Sequence, residues 1–146
     1  MKLSTKTTYG TKALLNIASR QGQGPVLLKD VAREEQIPRQ YLEQVVTPLR
    51  IAGLLNSVRG AGGGFVLAKQ PSQITLGEVV QILEGSLSLV ECVDSPEACA
   101  RSAEGCVTRD LWRETGSAVK KVLNSLTLQD LIERQRDKLQ NSMYQI

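Results

Sequence analysis

Apolar residues recur along this chain at two spacings, and the change of spacing marks out its elements. Tyr9, Ala13, Leu14, Ile17 and Ala18 share one helical face, which predicts a helix to about Arg20 that Gly22, Gly24 and Pro25 end. Val31 and Ala32 form the inner face of a short second helix, followed by a tight turn at Gln36-Ile37. A third helix is predicted to open at Pro38, where the missing N–H would have had no intrahelical partner. Leu42, Val45, Val46 and Leu49 give it an apolar stripe, and Gly53 stops it. Two short β-prone runs follow, 55–58 and 65–67, joined by Arg59-Gly60-Ala61-Gly62-Gly63-Gly64.

Beyond Pro71 the pattern returns to helical. Thr75-x-x-Glu78 reads as a capping box for a helix carrying Val79, Val80, Ile82 and Leu83 to about Gly85. Residues 86–106 show no period. Periodicity resumes from Val107 through Leu111, Val119, Val122 and Leu123, and Thr127 is placed to cap a last helix carrying Leu128, Leu131 and Ile132. The final RDKLQNSMYQI reads as a fraying tail. The helix near 107–124 carries more apolar surface than one small domain covers, which favours a two-fold partner.

Two close-packed helices followed by a glycine-tipped, arginine-bearing hairpin make a shape for gripping duplex DNA. The expected fold is therefore mainly α with a small β-wing: a winged helix-turn-helix domain plus a long dimerisation helix. The expected division is 1–74 as the DNA-binding domain, 75–106 as a linking helix and cysteine loop, and 107–146 as dimerisation helix, C-terminal helix and tail. Arg39, Gln40, Tyr41 and Gln44 fall in the first two turns of the recognition helix. There Gln pairs with adenine, Arg with guanine, and Tyr with phosphate. Arg59 and Gly60 sit at the wing, where arginine enters a narrow minor groove and glycine permits close approach. A nucleotide-binding loop is the competing reading of the glycines. It fails because no Lys-Ser/Thr follows them and Phe65 replaces the third glycine of a dinucleotide fingerprint. Glu43 is a carboxylate among groups facing a polyanion; it is either a reader of cytosine or half of an i,i+4 ion pair with Arg39.

Charge sharpens this picture. Residues 1–70 carry ten Lys/Arg against four Asp/Glu, a net of +6, whereas 71–146 carry eight against eleven, a net of −3. A basic front half suits a phosphate-facing surface. Aromatic residues are only 3 % of the chain, so aliphatic side chains on helices must do the packing. No apolar run approaches the roughly 20 residues that span a bilayer and no signal-peptide core opens the chain, so a cytoplasmic protein without membrane partners is expected.

The three cysteines stand as Cys92-x6-Cys99-x6-Cys106, among Glu91, Asp94, Glu97 and Glu104, and histidine is absent. That absence excludes histidine-based catalysis and every histidine-containing metal site. Paired C-x2–4-C zinc knuckles are missing, and wide even spacing on a loop suits an iron-sulfur cluster better than zinc. Three inert thiols are the equal alternative on spacing alone.

Several stretches carry a family resemblance: MKLSTKTTYG, YLEQVVTPLRIAGLLNSVRGAGGGFVLAK, GEVVQILEG, the three cysteines, CVTRDLWRETG and NSLTLQDLIE. Over residues 1–135 the chain resembles the IscR-like iron-sulfur cluster regulators of the Rrf family of winged helix-turn-helix transcription factors. The resemblance implies a homodimer held around Trp112, binding a palindromic operator in double-stranded DNA. It also implies a 2Fe-2S cluster on Cys92, Cys99 and Cys106, controlling cluster-biogenesis genes as a repressor or activator. Two departures stand out. The family's histidine ligand, three residues after the third cysteine, is Arg109 here, and the aspartate that a sister group of nitric-oxide sensors uses is Thr8. The fourth ligand is then an oxygen donor, an exogenous group or nothing; Glu43, Glu104 and Asp110 are the candidates, with Glu43 first because it is unfavourable near DNA and ligation would draw it from the DNA face. A nitric-oxide or redox sensor of the same family is the nearest rival. A cluster carrier or thiol oxidoreductase is the rival from another class, weakened by the absence of C-x-x-C and of a catalytic base. No enzymatic activity is expected.

Overall fold

Ser4 begins the first helix: its hydroxyl accepts from the Thr7 amide, and α1 runs Thr5–Ala18. The computed structural model describes residues 2–99 and 104–145. The element order continues with α2 (Leu28–Glu35), α3 (Arg39–Ile51), β1 (Leu55–Val58) and β2 (Gly64–Leu67). After a 3-10 turn come α4 (Leu76–Glu84), the one-turn α5 (Glu91–Asp94), α6 (Val107–Asn124) and α7 (Leu128–Tyr144). The fold is mainly helical with one two-stranded antiparallel sheet, as the pattern of apolar positions predicts.

The turn between α2 and α3 is made by Gln36 in the left-handed conformation, φ 55° and ψ 43°. Pro38 sits at the N-cap of α3, one residue before the first helical position. All four residues of the predicted stripe, Leu42, Val45, Val46 and Leu49, are buried. They meet Leu14 and Ile17 of α1, Val31 of α2, Val79 and Leu83 of α4 and Leu128 of α7 in one aliphatic core. With the backbone hydrogen-bonded within helices, burial of these side chains supplies the main drive for packing.

The wing pairs Leu55 with Leu67 and Val58 with Gly64. It gains a third edge that periodicity does not show. Val26 exchanges two backbone hydrogen bonds with Phe65, 2.9 and 2.8 Å, so the segment between α1 and α2 braces the hairpin. Gly64 is required there: at φ +150° a Cβ would lie 2.4 Å from the Val26 carbonyl oxygen.

Three local expectations need correction. Thr75 caps α4 by accepting from the Glu78 amide, but Glu78 reaches Lys69 at 3.4 Å. The described residues of 86–106 hold two short helical pieces, α5 and a 3-10 turn at Pro96–Ala98. The predicted fraying tail is instead the second half of α7, which stays helical to Tyr144. A full capping box at Thr127 and Asp130 starts that helix, and its amphipathic pattern persists past residue 135. Replacing Thr127 by Ala is expected to lower stability by about 1 kcal/mol in urea unfolding, because the Asp130 amide loses its acceptor and the Asp130 carboxylate loses the hydroxyl that donates to it.

α7 closes the molecule against its start. Leu128 is fully buried and its amide donates to the Ile74 carbonyl, while Leu76 donates to Leu126. α6 is different: of its 18 residues only Gly116 is buried, and Val107, Leu111, Trp112 and Val122 are exposed. Leu139, Met143 and Tyr144 of α7 are exposed as well.

Candidate nucleic-acid interface and cysteine loop

The buried stripe of α3 fixes which residues point outward. Arg39, Gln40, Glu43 and Gln44 are all exposed on one face, as helical geometry demands once Leu42, Val45 and Val46 turn inward. No acidic residue lies in the first turn of α3, so the positive end of its dipole adds to Arg39. Tyr41 differs from the other three candidates. It is half-buried, and its ring meets Tyr9 of α1 edge-to-face at 5.3 Å and 83°. Tyr41 therefore locks α3 to α1.

Glu43 forms the i,i+4 ion pair with Arg39, Oε1 to Nε at 3.6 Å, with both side chains largely exposed. Among the described residues Glu43 joins no group of three or more Cys, Asp or Glu that could hold a metal ion. Arg59 and Gly60 lie exposed at the hairpin tip, and Arg59 has no ion pair among the described residues. Two outward surfaces, the N-terminal half of α3 and the wing tip, thus carry the basic and amide side chains named from sequence. α2 is held against α1 by Arg20 paired with Glu34 and by the Asn16 amide, which donates to Glu34 and Glu35.

The thiols lie on the other connection, between α4 and α6. Cys92 is in α5, Cys99 follows the Pro96–Ala98 turn, and Cys106 is the N-cap of α6; all three are half-buried and reduced. Asp94 gathers the loop: the hydroxyls of Ser86 and Ser88 both donate to its carboxylate, and the Ser88 amide donates to Ser86 Oγ. These donors hold the Asp94 carboxyl below the usual range, Ser86 first. Arg109 then ties the loop to α6, its Nε donating to the Cys92 carbonyl at 2.8 Å. Since Arg109 lies one turn beyond Cys106, this bond brings the Cys92 and Cys106 ends of the loop to the same helix terminus.

The Cys106 thiol is lowered from its ordinary value. The Thr108 hydroxyl, 3.4 Å from Sγ, is the main cause, with the Arg109 amide second; burial and the charge of Asp110 act the other way. In a Cys92→Ser/Cys99→Ser chain, alkylation of Cys106 by iodoacetamide is expected to reach half its limiting rate below the ordinary thiol pKa of about 8.5. Among the described residues, no group of three or more Cys, Asp or Glu converges as a metal site. Of the three oxygen donors considered, Glu104 is exposed in the turn before α6. Asp110 sits in the first turn of α6, close enough to Cys106 to raise its pKa, and is bonded to Arg113 at 2.6 Å.

Sequence reasoning gave no role to Glu84, the last residue of α4. Its carboxylate accepts from the Ser4 amide at 3.1 Å and from the hydroxyls of Ser4 and Thr7. These bonds, Thr7 first, hold its pKa below the ordinary carboxylate value. The stability they contribute is present above the unfolded carboxylate pKa and is lost as pH falls through the lowered folded value. Accordingly, the stability gap between wild type and Glu84→Gln is expected at pH 7 and should close on acidification below pH ~4. Urea midpoints across the pH range check this.

These surfaces have counterparts in known proteins. Residues 3–134 match the model of the Rrf2 family, described as an iron-dependent transcriptional regulator. This chain belongs to the Rrf2 family. The HTH-type transcriptional regulator CymR of Bacillus subtilis is 44 % identical over 131 residues, covering 90 % of this chain and 89 % of that protein. IscR of Serratia proteamaculans is 36 % identical over 135 residues, covering 92 % and 81 %. The solved structure of CymR, the global cysteine regulator of B. subtilis, superposes with a TM-score of 0.79 at 42 % identity, over 92 % of this chain and 98 % of that one. This Rrf2 chain is therefore a transcriptional regulator with a winged-helix fold, and its relatives are regulators rather than enzymes. No helix among its described residues is long and apolar enough to cross a membrane.

Proposed function

We propose that this Rrf2 chain binds a palindromic operator as a homodimer, with α3 in the major groove and the Arg59 wing in the minor groove, and that chemistry at Cys92, Cys99 and Cys106 sets its affinity. The observation that carries this reading is the placement of all three thiols on one segment tied at both ends, by Asp94 near α4 and by Arg109 on α6. The exposed apolar residues of α6 are the surface on which a second copy would close the dimer.

The donor chemistry suits a 2Fe-2S cluster: three reduced, half-buried, soft thiols, one of them at a helix N-terminus that favours the thiolate. Cys92, Cys99 and Cys106 would hold it. Asp110 is an oxygen donor close enough to Cys106 for its charge to act on the thiol, whereas Glu43 is engaged with Arg39 on the exposed face of α3. When bound, such a cluster supplies a ligand-labile, redox-active centre. Around it, Arg109 orients the Cys92 backbone, the Thr108 hydroxyl holds the Cys106 proton equilibrium toward thiolate, and Asp94 fixes the loop's entry.

A second reading is thiol modification without a cluster, favoured by the same lowered Cys106 thiol. Anaerobic purification followed by a visible spectrum and iron and sulfide assays separates the two. Charge-transfer bands with matched iron and sulfide, lost in Cys99→Ala, are the expected result. A colourless protein that resists reconstitution yet binds DNA overturns the cluster reading in favour of the thiol one.

A further inference from the structure

The cysteine loop and α3 lie on different elements, and one side chain stands between the entry of the loop and α1, the helix that packs on α3. Glu84 ends α4, Gly85 turns the chain at φ +83°, and Ser86 is already bonded to Asp94 inside the cysteine loop. From the same point the Glu84 carboxylate reaches the first turn of α1 through three groups, the Ser4 amide, the Ser4 hydroxyl and the Thr7 hydroxyl. Thr7 is buried, so its bond to Glu84 is partly shielded, whereas the two Ser4 groups bond Glu84 at the surface. Ser4 is also the N-cap of α1, which makes the start of that helix dependent on where Glu84 stands. A cleft of about 210 Å³ lies between Lys2 and Leu3 on one side and Ser86–Leu89 on the other, so the loop's entry and the arm before α1 also adjoin.

α1 then meets the recognition helix. Five residues on from Ser4, Tyr9 packs edge-on against Tyr41 of α3. Gly10 faces Leu83 so closely that a Cβ would lie 2.5 Å from Cδ1, so α1 packs directly on α4 near the end that Glu84 holds.

We propose that Glu84 is the positioning residue that transmits the state of the cysteine loop to the DNA-reading helix, through the N-terminus of α1 and the Tyr9–Tyr41 contact. Opening the Asp94 latch releases Ser86 and Ser88; Glu84 moves with them, and the first turn of α1 and the seat of Tyr41 follow. The inference rests on the reading of α3 as the DNA-facing helix and of residues 86–106 as the sensor. It does not depend on which chemistry the thiols undergo.

A double-mutant cycle on the full chain tests it. Asp94→Ala opens the latch without touching a cysteine, and Glu84→Ala cuts the link. The first readout is hydrogen exchange of the α1 first-turn amides, including Thr7, which donates to Ser4 Oγ, and Thr8, which donates to the Ser4 carbonyl. The second is affinity for a duplex selected from a random library with the wild-type protein. Asp94→Ala is expected to speed exchange in α1 and to change duplex affinity by about fivefold or more, the usual size of a coupling between sites. In the Glu84→Ala background the same substitution is expected to do neither, and Glu84→Gln, which keeps an acceptor, is expected to restore part of the coupling. Thermal melts confirm that each variant is folded. Equal effects of Asp94→Ala in both backgrounds, or no effect on α1 exchange in the wild type, overturn the proposal. Failure of every folded variant and of the wild type to bind any duplex, with exchange coupling intact, would instead overturn the DNA-binding reading alone.

Discussion

Gly64→Val is expected to lose about 2–4 kcal/mol of stability and to detach the wing. Its Cβ would meet the Val26 carbonyl oxygen at 2.4 Å and the Val26 carbonyl carbon at 2.6 Å, both backbone atoms that no rotamer change removes. The φ of +150° strains any side chain further. Relief requires breaking the two Val26–Phe65 hydrogen bonds that brace the hairpin, so duplex affinity falls together with stability. Gly62→Ala, in the same loop but facing open space, is the control expected to leave both unchanged. Urea unfolding and a duplex titration read the two effects.

The second large effect is on DNA. Arg59 stands exposed at the wing with no ion pair among the described residues, so its charge is available to phosphate or to a narrow minor groove. Arg59→Ala is expected to weaken binding of a selected duplex by about 1–3 kcal/mol and to lower the slope of log affinity against log salt by about one. Arg39→Ala is expected to weaken binding too, but with a further signature: it releases the Glu43 carboxylate from its pair and leaves an uncompensated negative charge on the groove face. Titrations at several salt concentrations distinguish loss of a phosphate contact from loss of base preference.

The architecture was legible because aliphatic stripes carry it. Leu42, Val45, Val46 and Leu49 could be buried together only on a helix, and Gly53 and Gln36 mark its surroundings as turns. Apolar spacing says nothing about pairings made by backbone atoms, so the bracing of Phe65 by Val26 was invisible. The end of α7 was misjudged because its polar residues resemble a tail, although Leu139 and Met143 keep helical spacing. In the candidate site, sequence named the exposed residues of α3 and the three thiols. It did not separate Tyr41, whose ring is turned to Tyr9, from its exposed neighbours. Nor did it find Asp94, Arg109 and Glu84 as the fasteners of the loop, because their roles depend on partners as much as 80 positions away in the chain. Glu43 was drawn toward the thiols by chemistry alone. The structure pairs it with Arg39, which the i,i+4 spacing had offered as the simpler outcome.

One measurement tests the central claim, that the thiol loop sets operator affinity, most directly. The affinity of anaerobically isolated protein for its selected duplex is compared at fixed salt with that of the same sample after iron chelation and with that of a Cys92→Ser/Cys99→Ser/Cys106→Ser chain. The account predicts a difference of about tenfold or more between the native sample and both altered forms, with thermal unfolding showing all three folded. Equal affinities in the three samples would contradict it.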